Sequence, residues 1–165
     1  MLNGKKLFFL ALAVALSTAF LDLLTKRLIF AILDSKALEQ NIANPEIVIF
    51  NFFSLVKVLN RGVSFGMLNQ LESAPIILSA LQFIIMVLVF FWIYRNDKLH
   101  YSWALGLIAG GALGNLADRV KNGAVADFLD FHIASYHWPA FNLADSAVFV
   151  GVAILLLDDF VFKKR

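Results

Sequence analysis

The 165-residue chain has no cysteine, only three prolines, and only 16% charged residues. The missing cysteine removes disulfides, thiolate metal sites, cysteine nucleophiles and lipidation of the chain itself. It also means that cysteine usage says nothing about the redox compartment. The net charge of +2 is small and the basic residues are scattered, so there is no nucleic-acid footprint. No glycine-rich phosphate loop is present. His100, His132 and His137 form no HExxH pattern, which argues against a zinc peptidase. Gly62-Val63-Ser64-Phe65 lacks the second glycine of a nucleophile elbow. No metal and no cofactor is expected.

Hydrophobic residues make up 61% of the chain, and the mean hydropathy is +0.79. Soluble domains are about 45–50% apolar. The excess is segmental: Ala74–Tyr94 and Leu99–Ala117 are apolar runs near the ~20 residues that a helix needs to cross a bilayer. The pattern predicts an integral membrane, mainly α protein, a single domain over 1–165. Its four transmembrane helices lie near 7–32, 75–94, 99–120 and 140–162. The alternative for the first, a cleaved signal peptide ending near Ser17-Thr18-Ala19, fits poorly, because the helical pattern continues through Leu23, Leu24, Leu28 and Ile29. Residues 45–70 hold a strand region, with Ile47–Phe53 rich in β-branched and aromatic side chains. The expectation is a small extracytoplasmic β-sheet there and a second extracytoplasmic segment, Asn122–Pro139, between helices three and four. Gly106, Gly110 and Gly114 form a small-residue stripe for close helix approach.

Orientation follows from the density of basic residues at span ends. Lys5, Lys6, Arg95, Lys98, Lys163, Lys164 and Arg165 lie in three short segments. Both termini are therefore expected in the cytoplasm. Trp92, Trp103 and Trp138 suit interfacial belts, as do His132 and His137. Asp158 and Asp159 fall at the opposite headgroup boundary.

Ionisable residues at membrane depth are costly and mark functional sites. Here they gather at one level: Asp22 and Lys26 on span one, Asn115, Asp118 and Arg119 on span three, Asn142 and Asp145 on span four. Asp127 stands between spans three and four in a partly apolar run, and Asp130, three residues on, is read as a solvated or capping residue that could also share its face. Asp22 with Lys26, and Asp118 with Arg119, have the spacing of pairs that neutralise each other. Asp127 and Asp145 have no basic neighbour in sequence, which makes each a stronger functional candidate than the paired acids. A transporter relay through Asp22, Lys26, Asp118 and Asp145 is a rival, but its polar groups stop at one side of the membrane. An assembly subunit built on the glycine stripe is another.

Five islands occur in order: Asp22-Leu-Leu-Thr25-Lys26, Asn60-Arg-Gly62-Val-Ser-Phe65-Gly66, Gly110-Gly-Ala-Leu-Gly114-Asn115-Leu-Ala-Asp118-Arg119, Val125-Ala-Asp127-Phe-Leu-Asp130 and Phe141-Asn142-Leu-Ala144-Asp145-Ser146. Together they resemble lipoprotein signal peptidase, also called signal peptidase II, over nearly the whole chain. Ala126 is the one mild departure, where a bulkier aliphatic is expected. The resemblance implies an aspartic endopeptidase of the bacterial inner membrane. Such an enzyme removes the signal peptide of prolipoproteins just before a diacylglyceryl-modified cysteine, at the outer face. It places the catalytic pair on Asp127 and Asp145, with Asp22, Lys26, Asn60, Asn115, Arg119 and Asn142 in support. Gly62 and Asp118 join the candidate site from the same islands. It also implies a lipid-modified prolipoprotein substrate, contact with membrane lipids, inhibition by globomycin and no nucleic acid; a monomer is expected.

Overall fold

In a computed structural model, residues 4–62, 74–96 and 98–162 are described. The Val63–Gly66 end of the second island and the basic Lys163–Arg165 end fall outside them. Four helices form: α1 (Gly4–Gln40), α2 (Ala74–Arg95), α3 (Leu99–Asn122) and α4 (Leu143–Phe162). Four strands join them: β1 (Glu46–Phe50), β2 (Phe53–Asn60), β3 (Val125–Ile133) and β4 (Tyr136–His137).

Two expectations about the segments between the helices change. First, α1 does not stop near residue 32 but runs 37 residues, about 55 Å, well beyond the ~30 Å of a hydrocarbon core. Ala37, Leu38, Glu39 and Gln40 are strong helix formers, and no proline intervenes before Pro45. Second, Asn122–Pro139 is not a separate segment. Gly123, left-handed at φ 67°, ends α3 with its N–H on the Arg119 carbonyl. The β-branched and aromatic run after it then pairs with β2. The sheet is antiparallel, in the order β1-β2-β3-β4, with Val58 opposite Asp127 and Asn60 opposite Val125. Span four also starts later, because Phe141 is bridged to Leu129 before α4 begins.

Helix α3 packs against the other three helices. The glycine stripe explains how. A Cβ on Gly106 or Gly110 would meet the Ala11 or Ala15 carbonyl of α1 at 2.8 and 2.5 Å. A Cβ on Gly111 would collide with the Ala144 carbonyl of α4, and one on Gly151 would lie 2.6 Å from the Ala104 carbonyl. The backbones touch because no side chain separates them. At one end of the bundle, Ala11, Val89, Ile93, Leu105 and Ile108 form an apolar core. There the buried Asp158 joins α4 to Lys98 at 3.2 Å and His100 at 2.9 Å. The buried charge and amide groups of the sequence islands occupy the other end.

Large apolar side chains cover the helix exteriors; Phe20, Ile76, Leu88 and Phe149 are 63–76% exposed. Exposure on that scale needs a non-aqueous neighbour. Helix α1 and Ile76–Arg95 of α2 are long and apolar enough to cross a membrane.

Candidate functional site

The polar end is organised around Lys26. Its Nζ lies 2.7 Å from Asp22 Oδ2, 2.9 Å from Asp118 Oδ2, and donates to Asn115 Oδ1 at 2.9 Å. One buried ammonium serves two carboxylates as an ion-pair partner and one amide as a hydrogen-bond donor. Asp118 thus pairs across helices with Lys26, not with the adjacent Arg119. Each acid also braces a neighbouring backbone. Asp22 Oδ1 accepts the Ala144 N–H at 2.9 Å, fixing α4 to α1, and Asp118 Oδ2 accepts the Ala126 N–H at 3.3 Å, fixing β3 to α3.

Two asparagines carry this frame to Asp127 and Asp145. Asn115 Nδ2 donates to Asp145 Oδ1 at 2.8 Å. Asn142 Nδ2 donates to Asn115 Oδ1 at 3.1 Å and to Asp127 Oδ1 at 2.6 Å. The two carboxylates are therefore linked by one buried bridge, Asp127–Asn142–Asn115–Asp145. Asn60 Nδ2 holds the other Asp127 oxygen at 3.0 Å, while Asn60 Oδ1 accepts the Gly62 N–H at 3.1 Å in a tight turn. Gly62 thereby sets the position of Asn60.

Local structure accounts for Asn142 and Asp145. Asn142 precedes α4, and its Oδ1 accepts the Asp145 N–H at 3.0 Å. In return Asp145 Oδ2 accepts the Asn142 N–H at 3.3 Å. This is a reciprocal cap of a helix N-terminus, which also favours negative charge there. The Asn-x-x-Asp spacing that makes this cap is visible in the sequence.

Asp127 and Asp145 face one cleft of about 630 Å³. Asn60, Gln82, Asn115, Arg119, Trp138 and Phe141 help line it. All ten residues singled out in the sequence fall in or directly behind this cleft, and none lies elsewhere. Asp130 does not join them: on a strand, positions three apart point to opposite faces. Gln82 was missed. It accepts from Arg119 Nη1 at 2.7 Å, and its signal was a polar amide inside the apolar run of span two. Arg119 Nε is buried with no partner among the described residues.

Asp127 is 2% exposed, and burial pushes its carboxyl up to about 6. The hydrogen bond from Asn60 opposes that rise, the nearby Asp145 charge adds to it, and Asn142 and Lys26 lower it. The folded chain therefore holds this proton more tightly than the unfolded chain, whose aspartate titrates near 3.8. The stabilisation is complete below about pH 4 and is lost as pH rises through about 6, a change of about 3 kcal/mol at most. Asp127→Asn should flatten this slope of thermal midpoint against pH in detergent. An unchanged slope would assign the dependence to another group.

The family described as signal peptidase (SPase) II matches residues 14–161 of the chain. The lipoprotein signal peptidase of Syntrophotalea carbinolica is 43% identical over 91% of this chain and 90% of its own. That of Sulfurihydrogenibium is 37% identical over 99% and 98%. That of Aquifex aeolicus is 34% identical over 96% and 90%. Two solved structures of bacterial membrane enzymes superpose with TM-scores of 0.75 and 0.77, at 28% and 25% identity. They cover 94% and 92% of this chain, and 92% and 93% of their own. The polar islands, the fold and these matches agree: the chain belongs to the signal peptidase II family.

Proposed function

We propose that this chain removes the signal peptide of bacterial prolipoproteins, cutting before the diacylglyceryl-modified cysteine, with Asp127 and Asp145 as the catalytic pair. The observation that carries the reading is the amide bridge that fixes both carboxylates on one cleft, where neither is held in a direct ion pair among the described residues. Two carboxylates in such a site share a proton, because both cannot ionise cheaply. The ionised member takes a proton from a water molecule as its oxygen attacks the scissile carbonyl carbon. The protonated member donates to the carbonyl oxygen, which gives a tetrahedral diol. Collapse breaks the C–N bond, and the proton first taken from water passes to the leaving amine. The pair titrates as a unit, so acid and base are not assigned to single residues. Arg119, with its Nε unused, and the Gln82 amide are placed to hold substrate carbonyls.

In this reading all four helices cross the bacterial inner membrane and both termini are cytoplasmic. The sheet and the cleft lie at the outer face, where water reaches the peptide bond while the acyl chains stay in lipid. The protein works as a monomer, and globomycin fills the same cleft. Incubating the purified protein with a prolipoprotein, with and without its diacylglyceryl group, tests the assignment. Cleavage is expected of the lipidated precursor and only weakly of the other. Absence of product from both would overturn the peptidase reading; equal rates would remove lipid recognition from it.

A further inference from the structure

A second cluster of chemistry-bearing side chains lies outside the cleft, on the β3–β4 hairpin. His132 of β3 pairs directly across from His137 of β4. Side chains of such opposed residues share a face and stand about 5 Å apart. Asp130, two positions before His132, is on that same face. Strand geometry alone therefore brings two imidazoles and one carboxylate together. Their ligand atoms all lie within 4.8 Å of one another. His137 Nδ1 is 2.8 Å from Asp130 Oδ2, and His132 Nδ1 points to that same oxygen from 3.7 Å. The two rings stack, with centroids 4.8 Å apart.

The cluster is poorly explained as a simple histidine–aspartate pair. One imidazole satisfies that arrangement. The second is left with a buried Nδ1 that has no hydrogen-bond partner among the described residues. Asp130 itself is only 5% exposed, so its charge is held where water is scarce. An ion between the three groups satisfies the orphaned nitrogen and the buried carboxylate together. Two imidazoles and a carboxylate with an open position are a donor set suited to zinc and related divalent transition metals.

We propose that Asp130, His132 and His137 form a binding site for one divalent transition-metal ion, with Zn²⁺ as its representative. The ion binds Nδ1 of each histidine and a carboxylate oxygen of Asp130, leaving a fourth position to water. The exposed His137 makes the closing movement, because it sits on the short outer strand. The bound ion clamps β4 to β3. The Trp138 N–H already donates to the Phe131 carbonyl at 2.8 Å, and Phe141 is stitched to Leu129. Metal at the hairpin thus fixes the stretch from Trp138 to Phe141, which forms one wall of the catalytic cleft. The site is separate from the Asp127–Asp145 chemistry, and its existence does not depend on the peptidase reading.

Full-length protein carrying no histidine tag, purified in detergent and stripped with a chelator, is titrated with Co²⁺ and followed by visible absorption. Zn²⁺ is then added as competitor, and calorimetry gives the stoichiometry. One equivalent is expected to bind saturably at micromolar concentration, with Zn²⁺ displacing Co²⁺. His132→Gln and His137→Gln are each expected to weaken binding by about tenfold or more. Zn²⁺ should raise the thermal midpoint of the parent protein and leave that of His137→Gln unmoved. His137 is exposed, so its variant is a fair test even if His132→Gln folds poorly. No saturable binding, or binding undiminished in His137→Gln, overturns the proposal. Cleavage of the lipidated precursor, measured on the same metal-free samples, reports separately on the peptidase assignment.

Discussion

Asp145→Asn and Asp127→Asn each give a helical, detergent-stable protein that no longer cleaves a lipidated prolipoprotein. The expected fall in rate is about a thousandfold or more, the scale of losing positioned acid–base catalysis. A carboxamide is close to a carboxylate in size, so the cleft keeps its shape. It can neither take a proton from water nor share one with its partner. The two substitutions differ in their structural side effects. Asp145 also caps α4, where its Oδ2 accepts the Asn142 N–H. Asparagine retains one acceptor but turns its NH₂ toward a donor, either that N–H or the Asn115 amide. A loss of about 1 kcal/mol in stability is expected from the weakened cap. Asp127 is held by two side-chain amides, Asn60 and Asn142, so its asparagine variant likewise sets one donor against another. Gel-shift cleavage assays alongside circular dichroism separate the catalytic effect from the structural one. Turnover near the parental rate in either variant would remove the dyad from the mechanism.

Lys26→Met is expected to be the most destabilising single change in the polar end. The Lys26 side chain is 4% exposed, and its ammonium is the shared partner of Asp22 and Asp118, both buried as well. Removing it leaves two carboxylates unpaired away from water and takes a donor from Asn115. Breaking a buried ion pair in this way costs about 3–5 kcal/mol. Both acids also hold backbone groups, at Ala144 and Ala126, so the damage extends to the start of α4 and to β3. A triple variant, Lys26→Met with Asp22→Asn and Asp118→Asn, should recover part of the loss, because no net charge is then stranded. Thermal midpoints in one detergent decide the matter. A Lys26→Met midpoint equal to the parent would mean that the three groups do not depend on one another. A triple variant no better than the single would assign the loss to packing.

The long apolar runs made the helices legible, because a membrane-length hydrophobic stretch has few alternatives. The candidate site was legible for a related reason: in so apolar a chain each polar residue is costly and stands out. Partners across space were less accessible. Asp118 and Arg119 are neighbours in sequence, yet Asp118 pairs with a lysine on another helix. β3 was missed because Asp127 and Asp130 fall three apart and interrupt the alternation that marks a strand. Gln82 was overlooked because one amide barely lowers the hydropathy of its helix. The end of α1 was placed short because the apolar pattern fades before the helix does.

The Asn115–Asn142 bridge has a polarity. Lys26 can only donate, so Asn115 must turn its oxygen toward it and its NH₂ toward Asp145. Asn142 then has both amide hydrogens committed, one to Asn115 and one to Asp127. Neither amide can flip without setting donor against donor. Amides at neutral pH also carry no labile charge to relay. The rear wall of the dyad is thus closed to proton traffic, although a buried cation sits behind it. On the proposed mechanism, the protons of hydrolysis exchange through the open side of the cleft, which also admits the peptide. In that mechanism a substrate seated in the cleft therefore covers the route by which the pair exchanges protons with water.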